Sequence, residues 1–279
     1  MDVQIRELEG WELLASGNGR KLEQFGDVIL ERPSPQAIWP EAGECRFEEA
    51  AAVFHRKQDG TGDWVLKRKL PEGWEMRIGE LRLEIRLTGF GNVGVFPEHT
   101  AHWSWMVERL EGVSEASVLN LFAYTGGASI ALAKRGISVT HVDAAKSVNG
   151  WAIDNAARSG VDKTRIRFLA DDAHKFVKRE VRRGRRYHGI LLDPPTFGRG
   201  TKGEVWKIEK DFFSLIESMR PLLAPDAAFV LLTSHSPGIT PAVLRALLDT
   251  FGGRIESGEM LLSGKGPDLP AGAFARWTP

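Results

Sequence analysis

Val118-Leu-Asn-Leu-Phe122, then Ala123-Tyr-Thr-Gly-Gly127, then Ala128-Ser-Ile-Ala-Leu-Ala-Lys-Arg135 is the stretch that decides the fold. An apolar run, a glycine turn and a segment of helical character read as strand, tight turn and helix. The same unit recurs downstream. Strands are expected over 137–142, 165–170, 188–193 and 228–233, and helices over 144–159, 173–183, 207–223 and 241–251. Repeated strand–helix units imply α/β architecture: a parallel, Rossmann-like sheet with helices on both faces, because a right-handed crossover packs its helix back on the sheet.

Upstream the pattern changes. Asp27-Val-Ile-Leu-Glu-Arg-Pro33, Gly62-Asp-Trp-Val-Leu-Lys67 and Leu81-Arg-Leu-Glu-Ile-Arg-Leu87 read as short strands, the last in strict alternation, with turn clusters at Ser16-Gly-Asn-Gly19 and Asp59-Gly-Thr-Gly62. The expected domains are a small β-rich one over residues 1–94 and a larger α/β one over 95–279. Four of the nine tryptophans fall in the first, where they read as core, and no catalytic constellation is visible there.

The chain has 279 residues with 37 basic and 37 acidic side chains, so its formal charge cancels. Residues 1–94 hold 13 basic against 17 acidic groups, which leaves 24 against 20 in the remainder. The balance is thus −4 and +4. The longest apolar stretches, such as Ala227-Ala-Phe-Val-Leu-Leu232, fall far short of the ~20 residues of a membrane span. Acids stand near the start where a secretory signal would be basic, so a cytoplasmic protein without membrane contact is expected. A single cysteine, Cys45, forbids an internal disulfide or a thiolate metal cluster, and no metal is expected.

In such a sheet, ligands bind beyond the carboxyl ends of the strands. The turn at Gly126 lets backbone approach a ligand but lacks the G-x-G-x-x-G fingerprint of a dinucleotide site. Asp143, at the end of the second strand, can accept both hydroxyls of a ribose or cap the following helix. Asp171 and Asp172 follow the third strand. One can cap the next helix while the other, taken as Asp172, accepts from an adenine amino group. The fourth strand ends in Asp193-Pro-Pro-Thr-Phe-Gly-Arg-Gly200, the most specific signal in the chain. Pro194 and Pro195 lack N–H groups and fix φ, holding an open loop whose carbonyls are spared from the ladder. A carboxylate there can orient an amine for methyl transfer, a reaction in which positioning does most of the work.

These motifs resemble those of class I S-adenosylmethionine-dependent methyltransferases, in particular the branch with the bacterial large-subunit ribosomal RNA enzymes. The resemblance runs from about Val93 to the carboxyl end and includes Gly94-Val-Phe-Pro-Glu-His-Thr-Ala-His-Trp103. It implies S-adenosylmethionine as methyl donor, with Asn120, Phe122, Thr125 and Gly126 along its methionine part and Asp143 on its ribose. Asp172 and Ala173 would lie at the adenine, Asp193 and Pro194 beside the sulfonium, and Phe96, Glu98 and His102 would close the site. Relatives that methylate C5 of cytosine carry a cysteine on the strand after the Asp-Pro-Pro loop, needed for covalent activation of the ring. Here Leu232-Thr-Ser-His-Ser236 puts His235 in that place, as a proton acceptor or a satisfied polar side chain, and the C5 mechanism is not expected.

Phe197 is a candidate to stack on a base. Lys175-Phe-Val-Lys-Arg-Glu-Val-Arg-Arg-Gly-Arg-Arg186 holds seven cations, with Lys175, Lys178, Arg179, Arg182 and Arg186 at helical spacing. A basic stripe is a solvated face or, beside a catalytic mouth, a set of phosphate contacts. Arg182, Arg186, Arg199 and Lys202 are therefore expected to touch an RNA substrate, methylated on a nitrogen. Competing readings are methyl transfer to a protein or small molecule, and a noncatalytic module that binds S-adenosylmethionine or RNA.

Overall fold

Alternation along the amino-terminal segments has the expected consequence. In Leu81–Ile85 the side chains of Leu81, Leu83 and Ile85 are buried while Arg82 is exposed. The strand pairs antiparallel with Trp74–Ile78. Beside this hairpin, a six-stranded sheet runs in the order Ala42–Gly43, Trp11–Gly17, Arg20–Phe25, Val28–Pro33, Ala52–Arg56, Gly62–Leu66. Leu22, Phe47, Ala50 and Val53 belong to one core cluster of this unit. Its buried Glu23 is held by Arg32 at 2.6 and 2.8 Å, by Lys21 at 3.1 Å and by the Trp11 indole at 3.2 Å. A buried carboxylate persists only when neutralised and hydrogen-bonded in this way.

The structure is a computed structural model that describes residues 1–200 and 203–279. It divides into two compact units, Gln4–Glu98 with Leu261–Ala271, and Met1–Val3 with His99–Met260 and Gly272–Pro279. The amino-terminal unit thus takes in Leu261–Ala271, which lies far downstream in sequence.

The second unit is built from the strand–helix repeat. Its strands are β1 (Ser117–Leu121), β2 (Ser138–Asp143), β3 (Ile166–Ala170), β4 (Gly189–Leu192), β5 (Phe229–Ser234) and most of β6 (Arg254–Leu262) and β7 (Leu269–Thr278). Its helices are α1 (Thr100–Arg109), α2 (Gly127–Lys134), α3 (Lys146–Arg158), α4 (Ala173–Arg182), α5 (Ile208–Met219) and α6 (Pro241–Leu248). Neighbours in this eight-stranded sheet run Val3–Ile5, β6, β7, β5, β4, β1, β2, β3. Strands β1 to β5 pair in parallel, as expected, but β7 lies antiparallel to β5, so the sheet is mixed. Every residue of β4 is buried, the mark of a strand covered on both faces. Leu119, Leu121, Phe176, Ile190, Phe212 and Leu232 are among the residues of the core between sheet and helices. From β1 the chain winds outward through β2 and β3, then returns to β4 on β1's other side. That reversal opens a crevice at the carboxyl ends of β1 and β4. No helix among the described residues is long and apolar enough to cross a membrane.

Candidate active site

The loop leaving β1 is strained. Phe122 and Tyr124 both have positive φ, at 56° and 49°, and Gly126 follows at 91°. Left-handed backbone costs a non-glycine residue about 1–2 kcal/mol, and such strain concentrates where a loop must meet a ligand. Gly126 caps α2 without a side chain, and a Cβ there would come within 3.2 Å of the Ala152 methyl. A Cβ on Gly127 would come within 3.0 Å of the Trp103 ring, so α1 packs closely on the start of α2.

Asp143 ends β2 and turns its carboxylate into this loop. Oδ2 accepts the Tyr124 N–H at 2.9 Å and Oδ1 the Ala145 N–H at 2.9 Å, while the Asp143 carbonyl accepts from Asn149 at 2.9 Å. Burial raises its pKa, with the two backbone donors opposing. Ala145, rather than Asp143, is the N-cap of α3, and Asp143 is left as an oriented, half-buried acceptor. Asn120 points away from the loop: its amide donates to Ser129 Oγ at 2.9 Å, and Ser129 Oγ meets His141 Nδ1 at 3.0 Å. The Thr125 carbonyl accepts from Asn155 at 3.0 Å, and the Phe122 ring lies 4.8 Å from that of Trp206.

After β3 it is Asp172, the acid expected at the adenine, that caps the next helix. Asp172 is the N-cap of α4, accepting the Lys175 N–H at 2.9 Å, while Asp171 pairs with Arg179. The reason is register: an N-cap oxygen reaches the N–H of N3, and Ala173 is already the first residue of the helix.

Asp193 directly follows β4, and three side chains converge on its carboxylate. Its Oδ1 accepts the Thr233 hydroxyl at 2.8 Å and lies 3.4 Å from His235 Nδ1, and its Oδ2 lies 3.6 Å from His99 Nε2. Burial alone would raise its pKa, but His99, His235 and the Thr233 hydroxyl outweigh burial and hold the carboxyl well below its usual range. His99 escaped the sequence reading because it reaches Asp193 from the turn Pro97–His99 ahead of α1, far away in sequence. His99, Asp193 and His235 offer ligand atoms within 4.8 Å of one another, a donor set that divalent zinc accepts.

Two further donors face the interior from α1. His102 Nδ1 accepts from Arg276 at 2.6 Å, which places the ring hydrogen on Nε2. Burial and Arg276 keep this ring neutral. His102 Nε2 and Trp103 Nε1 are buried without a hydrogen-bond partner among the described residues. With Trp103 against the glycine turn and Asp143 aimed into it, the residues present fit a ligand that brings both hydroxyls and acceptor groups. Phe96 and Glu98 belong to the other unit, where Glu98 is buried and close enough to Lys21 to bias its titration.

Beyond buried Pro194 and exposed Pro195, a short hairpin that sequence reading missed pairs Phe197–Arg199 with Val205–Lys207. The Trp206 indole donates to the Pro195 carbonyl at 2.7 Å and pins the hairpin to the loop. Phe197 is 51% exposed, with the Arg199 guanidinium 5.9 Å from its ring centroid. Lys202 lies outside the described residues.

The basic stripe of α4 runs away from this crevice. α4 begins at the carboxyl end of β3 and runs back along the sheet for ten residues, about 15 Å. Arg182, and Arg186 beyond the helix end, therefore lie at the opposite end of the sheet from Asp143 and Asp193. Of the cations nearer the site, Lys175 pairs with Glu204 and Arg179 with Asp171.

Residues 41–251 match a family model described as S-adenosylmethionine-dependent methyltransferase. Ribosomal RNA large subunit methyltransferase K/L of Shewanella baltica is 31% identical over 215 residues, and that of Shewanella frigidimarina 27% over 212; each match covers 74% of this chain and 28% of the relative. This chain thus spans little more than a quarter of those relatives. The crystal structure of a SAM-dependent methyltransferase from Agrobacterium tumefaciens is 38% identical, with a TM-score of 0.94 over 100% of this chain and 93% of that one. With strand-end acids, a strained glycine loop and Asp-Pro-Pro set around one crevice, the chain belongs to the S-adenosylmethionine-dependent methyltransferases.

Proposed function

We propose that the chain transfers a methyl group from S-adenosylmethionine to a nitrogen of RNA, with ribosomal RNA as the substrate class. The observation that carries this reading is the Asp193 loop, a rigid strand end whose hairpin offers an exposed Phe197 beside Arg199. An aromatic ring stacks on a base and a cation meets its phosphate, the two contacts a flipped nucleotide requires. The names of the Shewanella relatives point to the same substrate class. A nitrogen target is favoured over C5 because His235, not cysteine, follows β5, while Cys45 belongs to the other unit.

In this reading Asp143 holds the ribose, and the loop of Phe122, Thr125 and Gly126 follows the methionine part. Asn120 contributes its backbone only, since its amide is committed to Ser129. Ala173 and the second oxygen of Asp172 meet the adenine, His102 donates from Nε2, and Asp193 with Pro194 and Pro195 shapes the transfer point. No metal is required for this chemistry.

Titration calorimetry with S-adenosylmethionine, and methyl incorporation from labelled donor into ribosomal RNA, test the reading. Asp143→Ala and Gly126→Trp are expected to abolish donor binding. RNA affinity is expected to fall steeply with salt because its phosphates carry much of it. Incorporation into protein or a small molecule but not RNA would refute the substrate class, and donor binding without turnover on any substrate would mark a binding module.

A further inference from the structure

His99 precedes α1, Asp193 follows β4 and His235 follows β5, all within the second unit, yet their donor atoms meet. The Asp193 carboxylate has a ring nitrogen beside each oxygen: His235 Nδ1 lies 3.4 Å from Oδ1 and His99 Nε2 lies 3.6 Å from Oδ2. Charge-assisted hydrogen bonds between such groups run at about 2.7–2.9 Å. Donors that share a four-coordinate zinc at about 2.0–2.2 Å occupy the corners of a tetrahedron, roughly 3.4 Å apart. The two separations match the second spacing. All three donor atoms lie within 4.8 Å of one another, and rotation about the imidazole χ angles closes that span onto one ion. Behind the carboxylate, the Thr233 hydroxyl donates to Oδ1 at 2.8 Å, the kind of hydrogen bond that orients a ligating acid in a metal site. The side chains of His99, Asp193 and His235 are 18%, 23% and 29% exposed, which leaves an ion a way in and a solvent-facing position.

We propose that His99 Nε2, the Asp193 carboxylate and His235 Nδ1 form a zinc site with its fourth position open to water, and that zinc bound there opposes methyl transfer. Two imidazoles and one carboxylate select zinc over magnesium or calcium, which take oxygen ligands. Three protein ligands with an open position make a site where zinc exchanges its outer ligand rather than one where it staples the fold. The site follows from the geometry alone, whereas its consequence rests on the proposed function, in which the Asp193 loop shapes the transfer point. An ion on the Asp193 carboxylate takes away the acceptor that would orient an amine. It also sets a dication beside the place proposed for the sulfonium, which is itself a cation. Zinc and the methyl acceptor therefore exclude one another, and the rate of methylation follows the concentration of free zinc.

The first measurement needs no substrate: the full chain, stripped of metal by a chelator, is titrated with zinc alone against a competing chromophoric chelator. One zinc per chain is expected. His99→Gln, Asp193→Asn and His235→Gln should each weaken binding by more than about 100-fold, and Thr233→Val, which removes only the hydrogen bond behind the carboxylate, by about 10–100-fold. His55→Gln, at an exposed histidine of the amino-terminal unit, should leave zinc affinity unchanged. Magnesium should not compete. Cobalt(II) in place of zinc should give the visible absorption of a four-coordinate site in the unmutated protein and lose it in the three ligand variants, whose metal-free thermal transitions report their folding. The second measurement is methyl incorporation from labelled donor into ribosomal RNA held below saturation. It should fall as zinc is added, reach half at the free zinc that half-fills the site, and recover on addition of chelator.

Absence of bound zinc, zinc held at full affinity by any of the three ligand variants, or zinc lost in His55→Gln overturns the site. Bound zinc that leaves methylation unchanged overturns the exclusion. If the metal-free chain methylates no RNA while zinc binds as expected, the substrate reading fails and the zinc site stands. If it methylates RNA and takes no zinc, the substrate reading stands and the zinc site fails.

Discussion

Lowering the pH is expected to destabilise this protein through His141, and the His141→Asn substitution isolates the effect. His141 lies on β2 with no exposed surface, its Nδ1 3.0 Å from Ser129 Oγ. Ser129 Oγ also accepts the Asn120 amide, and one hydrogen lies between Oγ and His141 Nδ1. Burial lowers its pKa from 6.5 to about 3, with a backbone hydrogen bond at Tyr124 opposing. Between these values the unfolded chain binds a proton that the folded one refuses, so stability is lost as pH falls from 6.5 towards 3 and is independent of this group above that range. The slope inside the window is about 1.4 kcal/mol per pH unit, and between pH 7 and pH 5 the loss integrates to about 1.9 kcal/mol. Asparagine keeps an acceptor for Ser129 but cannot be protonated, so whatever it costs in packing is the same at both values. Urea unfolding at pH 7 and pH 5, followed by tryptophan fluorescence, should show the wild type losing about 2 kcal/mol more than His141→Asn over that interval. Parallel pH dependences would refute the reasoning, because a ring that titrates normally in the folded state contributes no slope.

The basic stripe, the glycine loop and Tyr187 each have an expected response to substitution. Arg182→Ala and Arg186→Ala, at the far end of α4, should leave RNA methylation unchanged, whereas Arg199→Ala should reduce the slope of log affinity against log salt by about one; equal effects in a filter-binding assay would return the basic stripe to the site. Gly126→Ala forces alanine to a φ of 91° and its Cβ against Ala152. It should cost about 1–2 kcal/mol in stability, seen as a fall of several degrees in Tm, and weaken donor binding by calorimetry. Tyr187, whose hydroxyl donates to Glu180 at 3.0 Å, is pushed up to about 12 by burial, with the Glu180 carboxylate adding to it. Alkaline titration of ultraviolet absorbance should therefore show one of the two tyrosines ionising late, and Tyr187→Phe should remove that late component.

What the sequence discloses of this site is whatever the strand–helix repeat encodes locally. Asp143, Asp172 and Asp193 stand at strand ends because an apolar run must stop where its backbone leaves the sheet, and that stop is visible one residue at a time. The repeat also fixes the direction of each helix, and here local reading misleads. Arg182 and Arg186 are near Asp193 in sequence and at the other end of the sheet in space, because α4 carries the chain back about 15 Å before β4 returns it. His99 shows the converse. Nothing in Pro97-Glu-His99 marks a partner for a strand end nearly a hundred residues later, and only the placement of α1 against α2, fixed by Trp103 and Gly127, brings it to the carboxylate. The hairpin from Phe197 to Lys207 escapes for another reason: three-residue strands carry too little alternation to stand out, and their pairing depends on a Trp206 indole anchored to Pro195. Residues that shape the crevice are therefore legible in the sequence, while those that tune its acid are assembled by tertiary packing. The low pKa of Asp193 is for that reason a property of the fold, since His99 and His235 reach the carboxylate from elements far apart in sequence.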